Sequence, residues 1–159
     1  MATKLSDAKL TVRLIEDVEL NGRKLGNTNK YEVSGINEVT ERILTITTAE
    51  STIATFSAAV ASAGHYIAAN VRYIRFTNLD DTNFITLTFR NQDSDEVALK
   101  LDAGQSFIWN GDNADGMTAV FNATEDADAN YSQNFGSLTN IQARADSGSV
   151  DLEMYIAGV

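Results

Sequence analysis

The sequence predicts an all-β protein: a single-domain antiparallel β-sandwich or jelly-roll organised on a β-meander. Three observations carry that expectation. Between residues 71 and 109, apolar and polar side chains alternate with period two in four short runs. The runs are separated by Asp-, Asn- and Gly-rich turns, whose shortness calls for antiparallel neighbours. Near the N-terminus, Asn21-Gly22 directly follows another alternating run and is the strongest two-residue hairpin signal, because both positions accept positive φ.

Taken in order, residues 1–8 read as a flexible polar arm and 9–159 as one sandwich domain, with no linker or fixed-period repeat dividing them. Leu10, Val12, Leu14, Val18 and Leu20 share one parity and predict a long strand with a bend at Glu16-Asp17. After Asn21-Gly22 a return strand is expected through Arg23, Lys24 and Leu25, then a Gly26-Asn27-Thr28-Asn29 loop. Tyr31 and Val33 open another strand, broken at Gly35. The β-branched run 39–48 reads as a strand covered on both faces.

Residues 49–70 are read as a loop with one helical turn. Ile53, Phe56 and Val60 have helical spacing and Gly64 would follow the turn, although 52–56 fits a short strand equally. In the central run, strands are expected over 71–78, 84–90, 97–101 and 106–109. Ile74 and Phe76 are placed on one face of the first, with Val71, Tyr73 and Thr77 on the other. Beyond it come a polar loop over 110–116, a short strand over 117–122 and an acidic loop over 124–130. Residues 141–145 and 150–156 are expected to form a closing hairpin around Asp146-Ser147-Gly148-Ser149, with Val150, Leu152, Met154 and Ile156 on one face.

Composition bounds the function. The net charge of −10 argues against nucleic acid and anionic membranes as partners, since both are bound through Lys and Arg. Without cysteine there is no disulfide, thiolate metal site or Cys nucleophile. The N-terminus shows no apolar signal core, and no apolar run reaches the roughly 20 residues of a membrane span.

Candidate chemical groups are few. His65 is the one histidine and has no evident partner in sequence, so a structural role is expected. Asp112-Asn113-Ala114-Asp115-Gly116 resembles half of a calcium loop. Read back from Gly116, its first ligand position is Gly111 and its last is Asn122, so the pattern fails at both ends. Glu125-Asp126-Ala127-Asp128 offers clustered carboxylates, leaving the 112–128 region open to a cation or glycan, although solvated loops usually look this way. The sequons at Asn122 and Asn130 matter only in a secretory route. Trp109, Tyr73, Phe76, Phe84 and Tyr131 would form a sugar-stacking platform if exposed, or fill a core if not. No nucleophile elbow, zinc-protease helix or phosphate-cradling loop is present. The expectation is a protein that is not an enzyme, with no catalytic residue, cofactor or metal.

The strand end at 75–80, the Thr82-Asn83 turn and the K-L-x-A-G-x-S-F corner at 100–107 resemble a pattern in small structural proteins of tailed bacteriophages. The closing segment 138–158 is similar to their C-terminal hairpins. The resemblance implies a virion component present in many copies, assembled in the host cytoplasm and carrying no catalytic residues. It implies a capsid decoration or cement protein on the outer surface of a phage head, partnered by the major capsid protein and by copies of itself. A neck, tail or fibre component is the alternative within that class, and a carbohydrate-binding β-sandwich module the alternative outside it.

Overall fold

A computed structural model describes residues 8–59, 62–118 and 137–159. The expected flexible arm, apart from Ala8, lies outside the described residues. The described residues form eleven strands: β1 (Ala8–Leu20), β2 (Arg23–Ile36), β3 (Glu38–Ile46), β4 (Ser51–Ser57), β5 (His65–Ile67), β6 (Val71–Asn78), β7 (Ile85–Asn91), β8 (Glu96–Leu101), β9 (Ser106–Asn110), β10 (Leu138–Ala145) and β11 (Val150–Gly158). They form a five-stranded sheet in the order β5-β4-β10-β7-β8, a four-stranded sheet β3-β11-β6-β9, and a separate ribbon β1-β2. All pairings are antiparallel except β4 with β5. The all-β sandwich expected from period-two patterning is therefore what the chain forms.

One main core lies between the two larger sheets. The four-stranded sheet contributes Ile46, Ile74, Phe76, Val150, Leu152, Met154 and Ile156, and the five-stranded sheet faces them with Ile53, Phe56, Ile85, Leu87, Phe89, Leu101 and Ile141. Each row is the apolar half of an alternating strand, and burial of these side chains is the main force holding the layers together. At the β8–β9 end Trp109 meets Phe89 edge-on, with ring centroids 5.1 Å apart, while Phe107 sits 5.5 Å from Phe89.

The connectivity corrects several expectations. Only β7 and β8 of the central run pair as a hairpin; β6 pairs with β9 and β11, and β7 with β10. The run crosses between layers twice instead of forming a meander. Likewise β10 and β11 do not pair with each other: β10 lies between β4 and β7, and β11 between β3 and β6. Their turn, with Gly148 at φ 63°, is an arch between sheets. Turn chemistry is the same for an arch and a hairpin. The choice falls to the apolar rows of the two strands, which bury each other face to face across the core.

Other corrections are local. Among the described residues β3 is an edge strand paired with β11 alone, and its outward row, with Val39 and Ile43, is exposed. Residues 51–57 form a strand, β5 runs parallel beside it, and the helical turn is a 3-10 turn at Ala68–Asn70. Ile53 and Phe56 are held by the main core, so burial outweighed their helical spacing. Gly64 has the expected positive φ of 81°, but opens β5 instead of closing a helix. Val71 enters the main core although Tyr73 faces outward. Arg72 is an extra residue opposite the Ala157–Gly158 step, and that bulge reverses the parity. Met117 is buried in a turn, and the rest of the strand expected over 117–122 lies largely outside the described residues.

Candidate interaction surface

Ribbon β1–β2 pairs in continuous register from Lys9↔Ser34 to Leu20↔Arg23 and closes through Asn21 (φ 52°) and Gly22 (φ 72°). Both turn residues have the positive φ that the Asn-Gly signal predicts. Strand β2 does not end at Leu25: Gly26, Asn27, Thr28 and Asn29 stay in the strand, opposite Asp17, Glu16, Ile15 and Leu14. Ladder hydrogen bonds to a long partner outweigh the loop propensity of these four residues. Gly35, with φ 78°, is the extra residue of a bulge between Lys9↔Ser34 and Ala8↔Ile36, where a break was expected. At about 3.3 Å per residue the ribbon is roughly 40 Å long.

Its two faces differ. One carries Leu10, Val12, Leu14, Glu16, Val18 and Leu20, opposite Val33, Tyr31, Asn29, Asn27, Leu25 and Arg23. The other carries mostly charged residues, including Glu32 bridging Lys9 (2.9 Å) and Lys30 (2.5 Å). Hydrogen bonds from the two ammonium groups, Lys30 first, pull the Glu32 carboxyl down to about 2.

The base of the apolar face is seated. Val33 and Ile36 are buried with Tyr73 of β6 and Ala157 of β11, and Leu10, Val12, Tyr31, Tyr155 and Val159 pack around them. A notch of about 230 Å³ between Leu14, Tyr31, Tyr73, Ile108 and Asn110 shows the ribbon crossing the outer face of the four-stranded sheet over β6 and β9. Beyond the notch the same row continues uncovered: Leu14 is 49% exposed, Val18 53%, Leu20 58% and Leu25 49%. An isolated two-stranded ribbon is marginal in water, so such a stretch gains most from a third surface.

Sequence reading placed these residues in a long strand and its hairpin return and did not single them out as a surface. Their period-two pattern is that of any half-buried strand. The signal that distinguishes them is length, since 13 and 14 residues joined by a two-residue turn exceed what one face of a small sandwich covers.

The expected chemical candidates are dispersed. His65 is half-buried on β5, its backbone N–H donating to Ser62 O at 3.1 Å. It lines a shallow groove of about 420 Å³ with Arg42, Ser51 and Thr52, between edge strand β3 of one sheet and strands β4 and β5 of the other. Asp112 Oδ1 accepts from the N–H groups of Asp115 (2.9 Å) and Ala114 (2.8 Å), which hold its carboxyl below the usual range. That carboxylate closes the 112–116 turn. No cluster of three His, Cys, Asp or Glu suited to a metal occurs among the described residues. The acidic residues at 125–128, both sequons and Tyr131 lie outside the described residues. Of the proposed sugar platform, Tyr73 and Phe76 are buried, Trp109 packs against Phe89, and Phe84 lies under the Lys100 ammonium at 4.5 Å. They share no surface.

The three pieces of the phage-like pattern meet at one point, the buried Asn78. Its side-chain amide donates to Asn83 O (2.9 Å) and Leu101 O (3.1 Å), and its Oδ1 accepts from Asp80 N (3.0 Å). Its backbone N–H donates to Gln105 O (3.0 Å), and the Leu79 N–H donates to Asp151 O (2.9 Å). The pattern is thus a structural corner, and its residues serve packing.

No family model, curated protein or solved structure matches the chain.

Proposed function

We propose that this chain is a non-enzymatic virion protein of a tailed bacteriophage, a decoration protein on the outer surface of the head. The observation that carries the reading is the ribbon: a long, two-faced arm whose apolar row runs past its own body. Such an arm suits a molecule placed among fixed neighbours, where a reaching element finds its partner at high local concentration. The resemblance of the Asn78 corner to phage structural proteins supplies the class. Among the described residues, the shallow groove at His65 and the scattered carboxylates bring no set of catalytic groups together.

The acidic body would meet a basic patch on the shell or face solvent. Purified protein mixed with undecorated heads should pellet with them in a sedimentation assay, and should not pellet with isolated tails. Protein left wholly in the supernatant with both would overturn the reading, and pelleting with tails alone would move the chain to the neck, tail or fibre.

A further inference from the structure

We infer that the open side of the sandwich, where β3 of one layer faces β4 and β5 of the other, is a binding cleft for a neutral carbohydrate. The inference goes beyond the virion reading and does not rest on it, because the cleft belongs to the body and not to the ribbon.

The inward row of β3 is the first argument. In register with β11, Thr40, Arg42, Leu44 and Ile46 stand beside Ile156, Met154, Leu152 and Val150, all four of which are buried in the main core. Ile46 belongs to that core and Leu44 packs against it. Toward the start of the strand the same row turns polar, through Arg42, Thr40 and Glu38. An inward row of a sandwich is ordinarily apolar. This one changes character where it meets Tyr66 of β5.

Tyr66 is 2% exposed, and its ring lies in the main core 5.8 Å from that of Phe56. Its hydroxyl reaches the polar end of β3, among Thr40, Arg42 and Glu38. Burial pushes that hydroxyl above its ordinary pKa, and Thr40 and Arg42 pull it back less strongly. Thr40 is close, yet no described residue makes a hydrogen bond of good geometry with Tyr66 Oη. Buried hydroxyls are ordinarily paired. A ligand oxygen entering between Thr40 and Arg42 would supply the partner.

Shape is the second argument. Two adjoining hollows, of about 420 and 360 Å³, share Arg42, Gly64 and His65 as wall. Each has the volume of an ordinary small-molecule site, roughly 300–1,000 Å³. The Arg42 guanidinium reaches across from β3 to the opposite layer: a Cβ built on Gly64 would stand 3.8 Å from its Nη1. Gly64 thus leaves the floor beneath that group free of a side chain.

The donor set selects the ligand. Arg42 only donates, the Glu38 carboxylate only accepts, and the hydroxyls of Thr40, Ser62 and Ser51 do both. No ion pair joins Arg42 or Glu38 to each other or to another described residue, so both are available to a ligand. Their charges oppose, and the chain as a whole carries −10, so an anion gains little here. Arg42 works equally against a cation. A neutral molecule rich in hydroxyl groups, each able to donate and accept, matches both ends of the cleft. Leu44 and Ala63 offer apolar contact to the C–H face of a sugar ring.

The test screens the purified protein on an array of neutral and acidic glycans, then titrates the strongest neutral binder by NMR. Shifts should saturate and be confined to 38–46 and 51–66. Glu38→Gln and Arg42→Gln should each weaken binding about tenfold, the scale of one lost hydrogen bond, with the melting midpoint unchanged. Tyr66→Phe separates binding from structure. Its lost hydroxyl has no partner in the free protein, so the variant should melt at or above wild type while its affinity falls about tenfold. Failure of every neutral glycan to bind overturns the inference, as does a preference for acidic glycans or an affinity that Tyr66→Phe leaves unchanged. If Tyr66→Phe unfolds, the two glutamine variants decide, and wild-type affinity in both overturns it. Head binding is measured on the same variants and should survive in all of them, so the two readings fail separately.

Discussion

Val12 and Leu14 stand two residues apart on the same face of β1, and close packing against the body gives way to exposure between them. Val12 packs into the cluster of Val33, Tyr73 and Ala157, while Leu14 is half exposed at the mouth of the notch. The boundary divides the ribbon into an anchored base and a free outer half, and the two halves should respond differently to substitution.

Val33→Ala tests the anchor. Val33 is buried between the ribbon and the sheet, and truncating it should cost about 2 kcal/mol at that contact. The loss should appear as faster amide exchange through β1 and β2. Amides of β6, β10 and β11 should keep their protection, because the main core contains no ribbon residue.

Gly26→Ala tests the ladder of the outer half. Gly26 faces Asp17 across the ribbon, and a Cβ there would run into the Glu16 carbonyl oxygen and stand 3.2 Å from the Asp17 Cα. The backbone must shift to admit it. Amides beyond Asp17 should lose protection and the Asn21-Gly22 turn should change its chemical shifts, with the melting midpoint of the body unchanged.

Asn78 tests the corner. Removing its amide in Asn78→Ala leaves the Asn83 and Leu101 carbonyl groups without that donor and should cost about 1–3 kcal/mol in denaturant unfolding. Asn78→Asp should be worse at neutral pH, because it points a carboxylate at two carbonyl oxygens. Part of that difference should disappear as acid protonates the new group.

Glu32 gives the ribbon a pH dependence of known sign. Its folded value of about 2 lies below the ordinary 4.5, so the favourable interaction is fully present above pH 4.5. It is lost as pH falls toward 2, where the carboxyl protonates and releases Lys9 and Lys30. An NMR titration of the Glu32 side chain should show a midpoint near 2, and Glu32→Gln should remove the dependence from exchange in the ribbon base.

The fold class was legible because burial and parity agree. Alternation alone groups Val150, Leu152, Met154 and Ile156 on one face, and all four are buried in the main core. Pairing was not legible. The Asp146–Ser149 turn fits an arch as well as a hairpin, and only the opposed apolar rows of β10 and β11 decide between them. Gly26–Asn29 read as a loop because local propensity cannot register a partner strand as long as β1. The interaction surface was hidden for a related reason: alternation marks which face of β1 is apolar, but not how far along the strand the body packs against it.

The most direct test is hydrogen exchange at Leu14, Val18, Leu20 and Leu25, compared between dilute protein and protein assembled at high concentration or on heads. Covering of the outer ribbon on assembly predicts a large gain in protection there. Equal exchange in the two states would contradict it.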